Sequence, residues 1–122
     1  MRFFILLSVF ATLLLSSGDC SNKKTSDKKY KGKLEIAAIC MNYTIRVTEG
    51  NIAAVDANWK DETTGKSYIN VFKLGNPCDF PITIKEGDEF YFTIDTTKGK
   101  QCAVCMAYYP TPSKAVSIKV VE

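Results

Sequence analysis

Four cysteines, Cys40, Cys78, Cys102 and Cys105, fall between Leu34 and Glu122, a stretch that contains no histidine. A region this short builds only a marginal apolar core, and exported proteins commonly supplement such cores with disulfides. The spacing narrows the alternatives. Cys102-Ala103-Val104-Cys105 has the CxxC form, but it runs into Met106-Ala107-Tyr108-Tyr109 and two prolines. It therefore offers no helix N-terminus to lower a thiol pKa for redox work. Cys40 and Cys78 are isolated rather than a second CxxC, which argues against a four-cysteine zinc site. Two structural disulfides are the expectation. Read as an extended strand, Cys102 and Cys105 stand about 10 Å apart at roughly 3.3 Å per residue. A bridge tolerates a Cα separation of at most about 6.8 Å. Cys40 and Cys78 are thus expected to pair with Cys102 and Cys105, in either of two crossings.

A fifth cysteine, Cys20, closes an apolar leader. Arg2 supplies a positive start, Phe3 to Leu15 is apolar apart from Ser8 and Thr12, and Ser16, Ser17 and Gly18 follow. The run is too short to cross a bilayer core of about 30 Å and has the three-part layout of a signal peptide. An odd cysteine in an exported chain also needs a role. Leu15-Ser16-Ser17-Gly18-Asp19-Cys20 resembles the lipobox of bacterial lipoproteins, in which the leader is cut before a cysteine that becomes diacylated. The resemblance implies a signal peptide over 1–19, a lipid on Cys20 and attachment to a membrane of the cell envelope. Asp19 departs from that pattern. Cleavage after Gly18 is the alternative and leaves a soluble periplasmic or secreted protein with a free Cys20. In a eukaryotic secreted chain, Asn42-Tyr43-Thr44 would be a glycosylation sequon.

Ser21 to Lys33 holds six lysines against Asp27, with Tyr30 its only large apolar residue. Such a segment buries too little to offset its ordering entropy, so residues 20–33 are expected to form a disordered basic tether. Residues 34–122 carry nine Lys/Arg and eleven Asp/Glu, so the overall +3 belongs to the tether. Beside a lipid anchor those lysines either add attraction to anionic headgroups or act as a solvated spacer. Nucleic acid is not an expected partner, because the folded part lacks a basic footprint.

Residues 34–122 read as one β domain. Leu34 to Cys40 alternates with Leu34, Ile36, Ala38 and Cys40 on one face, and Tyr43 to Val47 reads as its continuation. Further strands are expected over 52–59, 67–74, 78–84, 89–95, 101–109 and 115–121, separated by turn residues such as Gly75-Asn76-Pro77 and Glu86-Gly87-Asp88. A long bent first strand followed by a meander indicates an all-β, small antiparallel barrel of OB type. An immunoglobulin-like sandwich is the competitor, although Trp59 lacks the flanking cysteines of that family.

An enzyme is not expected. There is no histidine for general base work, no phosphate-cradling glycine loop and no activated serine. Asp61-Glu62 and Asp88-Glu89 read as loop charges. No cofactor or metal is expected either. Tyr108 and Tyr109, beside Pro110 and Pro112, are a candidate binding surface. The bland reading packs Tyr108 in the barrel and lets Tyr109 cap an edge. In layout the chain resembles the small lipoproteins of Bacteroidota-type bacteria, with leader, polar spacer and compact cysteine-bearing β domain. That resemblance implies an envelope location and no particular activity; from the residues themselves, a membrane-anchored non-catalytic binding or structural module is expected, with a protein or small ligand as partner. The alternative is a soluble disulfide-stabilised inhibitor of an enzyme.

Overall fold

In the computed structural model, which describes residues 28–122, the chain enters the sheet at Tyr30. The leader, Cys20 and the tether up to residue 27 lie outside the described residues. Strand β1 spans Tyr30–Ala38 and so begins before Leu34, within the stretch read as tether. Lys31 and Lys33 mask an alternating strand. Tyr30 stacks on Phe92 at 5.6 Å between ring centroids. Gly32 is buried so closely that an added Cβ would sit 2.9 Å from the Phe92 ring.

Strand β2 (Asn42–Glu49) does not continue β1 but doubles back beside it, antiparallel, with Leu34 opposite Ile45. The reversal occurs over Ile39–Met41, where Cys40 and Met41 both have φ near 58°. Left-handed backbone at a hairpin is normally announced by Asn-Gly or Asp-Gly. Cys-Met carries no such signal, which is why the two strands read as one. A register shift between Leu34 and Ile36 makes Glu35 a bulge. Beyond it the faces exchange: Leu34 joins the core, whereas Ile36 lies opposite Thr44 on the outer side.

Strand β3 (Asp56–Lys60) pairs with the outer edge of β4 (Ser67–Leu74), and β4 pairs with β2. Strand β5 (Glu89–Ile94) pairs with the other edge of β1. The last segment changes partner midway. Strand β6 (Ala115–Val116) runs parallel to β4, and β7 (Ile118–Val121) runs antiparallel to β5. The pairings thus pass from β4 through β2, β1, β5 and β7 and, after a break at Ser117, back through β6 to β4. This is an all-β, partly open barrel with the strand connections of the OB type.

Asn76 fills the break. Its buried side chain donates to the Ile118 carbonyl at 2.7 Å and accepts from the Ile118 N–H at 2.8 Å, reproducing a rung of the ladder. Two expected strands are absent. Residues 78–84 instead make two tight turns, at Pro77–Asp79 and at Pro81–Ile84, where the Ile84 N–H donates to the Pro81 carbonyl at 3.3 Å, with Phe80 buried but Ile82 87% exposed. Residues 101–109 form no ladder at all. Proline-fixed, disulfide-held backbone there has the β-branched and aromatic content of a strand without a neighbour to pair with.

Leu34, Ile45, Phe72, Phe90, Phe92 and Ile118 meet inside the barrel. Phe80 packs edge-on against Phe90 at 5.4 Å. Full burial of such a side chain contributes about 1.5–3 kcal/mol. A second, smaller buried layer lies on the outer face, where Ile36, Thr44 and Val71 are sealed although none belongs to the main core. Asn70, with φ of 51°, breaks the alternation of β4, so that Val71 and Phe72 are both buried. No helix among the described residues is long and apolar enough to cross a membrane.

Candidate functional site

The connection from β5 to β6, residues 95–114, has almost no backbone ladder of its own and is instead pinned to its surroundings. Asp79 accepts the Lys100 N–H at 3.1 Å, and the neighbouring glycine permits this, since a Cβ on Gly99 would lie 2.5 Å from that carboxylate. Cys78 is bridged to Cys102 and Cys40 to Cys105. This settles which of the two crossings occurs, and no bridge joins Cys102 to Cys105. All four thiols are consumed, so neither a dithiol nor a thiolate metal site is available to them. Two disulfides mark an oxidising, exported environment.

Further along, Asn42 donates its side-chain N–H groups to the Ile39 carbonyl at 2.8 Å and the Ala107 carbonyl at 3.0 Å. Ser113 binds Asp56 through its N–H at 2.7 Å and its hydroxyl at 2.9 Å. Between these pins the side chains are turned outward. Ile39 is 61% exposed, Val104 42%, Met106 94% and Tyr108 83%. Four large apolar side chains near the bridged Cys40 and Cys105 in sequence are thereby left exposed. They sit on two loops, the β1–β2 turn and the β5–β6 connection, which the bridge joins into one ridge.

Tyr108 therefore does not pack in the barrel; it belongs to the ridge. Tyr109, its neighbour, is only half-buried and is committed elsewhere. Its hydroxyl donates to Asp61 at 2.6 Å. Asp61 is buried, contrary to its reading as a loop charge, and also accepts the Thr63 N–H at 2.8 Å. Burial pushes the Asp61 carboxyl up, but the Tyr109 hydroxyl and the backbone N–H groups of Thr63 and Thr64 outweigh it and hold the group below the ordinary carboxylate value. The same bond to Asp61, with burial, raises the Tyr109 hydroxyl. The pair is a latch that fixes the C-terminal end of the ridge. Asp88-Glu89 does behave as surface charge: Asp88 accepts the Lys85 N–H, and Glu89 pairs with Lys31 at 3.5 Å.

The sequence reading found Tyr108 but missed Ile39, Val104 and Met106. Each lies within one residue or two of a bridged cysteine, and that adjacency is the signal that was available. An open cleft of about 460 Å³ lies on another side of the barrel, lined by Asp79, Asp95, Lys98, Lys100 and Lys119. Its two acids are occupied in holding backbone, Asp79 at Lys100 and Asp95 at Thr97. Pro81, Ile118 and Val120 share the lining with these charged groups, so the cleft is open and mixed rather than predominantly apolar as small-molecule sites are. No family model, no curated protein and no solved structure matches this chain.

Proposed function

We propose that this chain is a non-catalytic binding module of the cell envelope, held to a membrane by a lipid on Cys20, and that it takes a protein partner on the ridge of Ile39, Val104, Met106 and Tyr108. The observation that carries this reading is the pinning of exposed apolar side chains by the Cys40–Cys105 bridge. Exposed apolar surface costs solubility, and a chain that rigidifies it gains binding free energy, because little conformational entropy is lost on association. Met and Tyr are also enriched where protein partners meet. OB-type barrels bind ligands through the loops that correspond to the two joined here, an analogy of fold that raises the prior without naming the partner.

Site-specific photocrosslinking in the native envelope tests the reading. A crosslinker at Met106 is expected to give one discrete adduct that Tyr108→Ala abolishes, whereas a crosslinker at Ile69, exposed on β4, gives none. Identical adduct patterns from the two positions would sink it. A soluble enzyme inhibitor is the second reading, favoured by the same rigid ridge. Intact mass of the native protein separates the two, since acyl chains on Cys20 belong only to the anchored module.

A further inference from the structure

The barrel closes without β3. Strand β4 gives one edge to β2 and the other to β3 and then β6, and it is β6 that carries the circuit on. Among the described residues β3 is therefore the last strand of its sheet, paired to β4 alone. Asp61 donates its N–H to the Lys66 carbonyl at 2.9 Å, and Trp59 stands opposite Tyr68 in the same register. By the alternation of an antiparallel ladder, the peptide groups of Trp59 and Asp61 face β4, and those of Asn58 and Lys60 face away from it. Free strand edges invite pairing, and natural sheets blunt them with charge, proline or a bulge. The register of β3 with β4 runs unshifted from Asp56 to Lys60, and the strand contains no proline. Its charges, Asp56 and Lys60, stand one at each end and fit a particular neighbour. Laid against itself in reverse, Asp56-Ala57-Asn58-Trp59-Lys60 sets Asp56 opposite Lys60, Ala57 opposite Trp59 and Asn58 opposite itself.

We propose that β3 pairs antiparallel with β3 of a second copy of this chain, about a two-fold axis at Asn58. The outward peptide groups of the two Asn58 residues exchange both of their hydrogen bonds across the axis. An opposite-charge pair of Asp56 and Lys60 stands on either side, and such cross-strand pairs are stabilising. Trp59 and Ala57 form the intervening pairs, where side chains approach most closely, so each half-buried indole covers the small side chain of the other copy. The same charges reject other registers. An axis at Lys60 sets lysine against lysine, an axis at Trp59 sets Asp56 against Glu62, and an axis at Ala57 leaves Lys60 opposite Ala54. With the axis at Asn58, Asp61 and Glu62 run beside Val55 and Ala54, which bring no charge. Ser113 donates its N–H and hydroxyl to Asp56 at 2.7 and 2.9 Å, which fixes the carboxylate in place. A carboxylate accepts about four hydrogen bonds, so capacity for Lys60 remains. The contact is reciprocal and closes at two copies, because each spends its β3 edge in making it. Ile69 lies two strand spacings, about 10 Å, from the β3 of the second copy and stays outside the contact.

The test uses the exported full chain with Cys20→Ser, which removes a thiol able to join two copies covalently. Sedimentation equilibrium from micromolar to submillimolar concentration is expected to show a reversible monomer–dimer equilibrium. Emission from Trp59, the one tryptophan of the chain, is expected to shift to the blue as dimer forms. Lys60→Asp and Asp56→Lys each weaken the dimer about tenfold or more, since each replaces two attractions by two repulsions. Mixed together, the two variants pair with each other at about the parent affinity, because one β3 is acidic at both ends and the other basic at both. That rescue also shows that neither variant has merely failed to fold. Asn58→Pro removes an outward N–H and leaves a folded monomer. A monomer at every concentration overturns the proposal, as does failure of the two charge variants to pair with each other. A dimer that survives Lys60→Asp but dissolves with Met106→Asp also overturns it and seats the second copy on the ridge.

Discussion

Tyr109 and Asp61 show how a single bond fixes the end of an exposed apolar loop. The Asp61 carboxyl is held low and the Tyr109 hydroxyl high by their mutual bond. A depressed carboxyl stabilises the fold above its unfolded pKa of about 3.9 and ceases to do so as pH falls through its lower folded value. A raised phenol stabilises below about pH 10 and ceases to do so as pH rises through its folded value. The latch is therefore at full strength between roughly pH 5 and pH 9. Tyr109→Phe is expected to lower Tm by several degrees there, with the difference from the parent chain shrinking below about pH 3 and above about pH 10, as calorimetry across pH would register. Asp95, held low by Thr97, keeps an acid limb in the variant. None of this was legible in the sequence. Asp61 stands beside Glu62 in a run of loop residues, and its partner lies 48 positions away. Asn42 is a parallel case. Its amide donors are spent on Ile39 and Ala107 and Thr44 is wholly buried, so the sequon is occupied by structure rather than presented to solvent.

At the scale of elements, legibility followed neighbours. Strand β5 and the 115–121 segment were readable because each alternates against the core, and β4 was readable from its β-branched and aromatic content between turn residues although Asn70 breaks its alternation. The turn at Cys40 was not, because a disulfide and Asn42 hold the left-handed backbone that glycine or asparagine would hold elsewhere. Residues 101–109 read as a strand for the opposite reason: strand-like composition with nothing beside it to bond. The exclusion of a Cys102–Cys105 bridge survived although its premise of an extended strand did not, and the long-range pairing it implied is the one found. The Cys40–Cys105 bridge spans 65 positions. Removing it with Cys40→Ser and Cys105→Ser is expected to cost about 4 kcal/mol in urea unfolding, chiefly by releasing the unfolded chain. Amide exchange should rise at 39–41 and 102–109 while the β1–β5 ladder stays protected. Uniform loss of protection across both would show that the bridge supports the barrel rather than the ridge.

For the molecule as a whole, the weak point of the barrel is its seam. Val116 and Ser117 turn their carbonyls to opposite sides, to Gly75 at 2.8 Å and Asp95 at 2.9 Å, and Asn76 bridges what is left open. Asn76→Ala would strand the N–H and C=O of Ile118 in a buried site and cost roughly 2 kcal/mol or more. Exchange is then expected to quicken in β6 and β7 before β1 and β2, and simultaneous opening of all four would place the seam elsewhere. The all-β class was legible from short alternating runs and the turns between them, but the long bent first strand behind the OB-type reading is two paired strands, and the seam was hidden because Asn76 reads as one more turn residue between Gly75 and Pro77. One consequence follows from the length of β1. It begins at Tyr30 and ends at the bridged turn, about 26 Å away at roughly 3.3 Å per residue, paired to β2 over Lys31–Ala38 and to β5 over Tyr30–Lys33. A pull exerted between tether and ridge therefore runs along this strand and loads its rungs sideways and together, rather than peeling them one at a time. On the proposed anchored reading, that is the line along which a partner held at the ridge would pull.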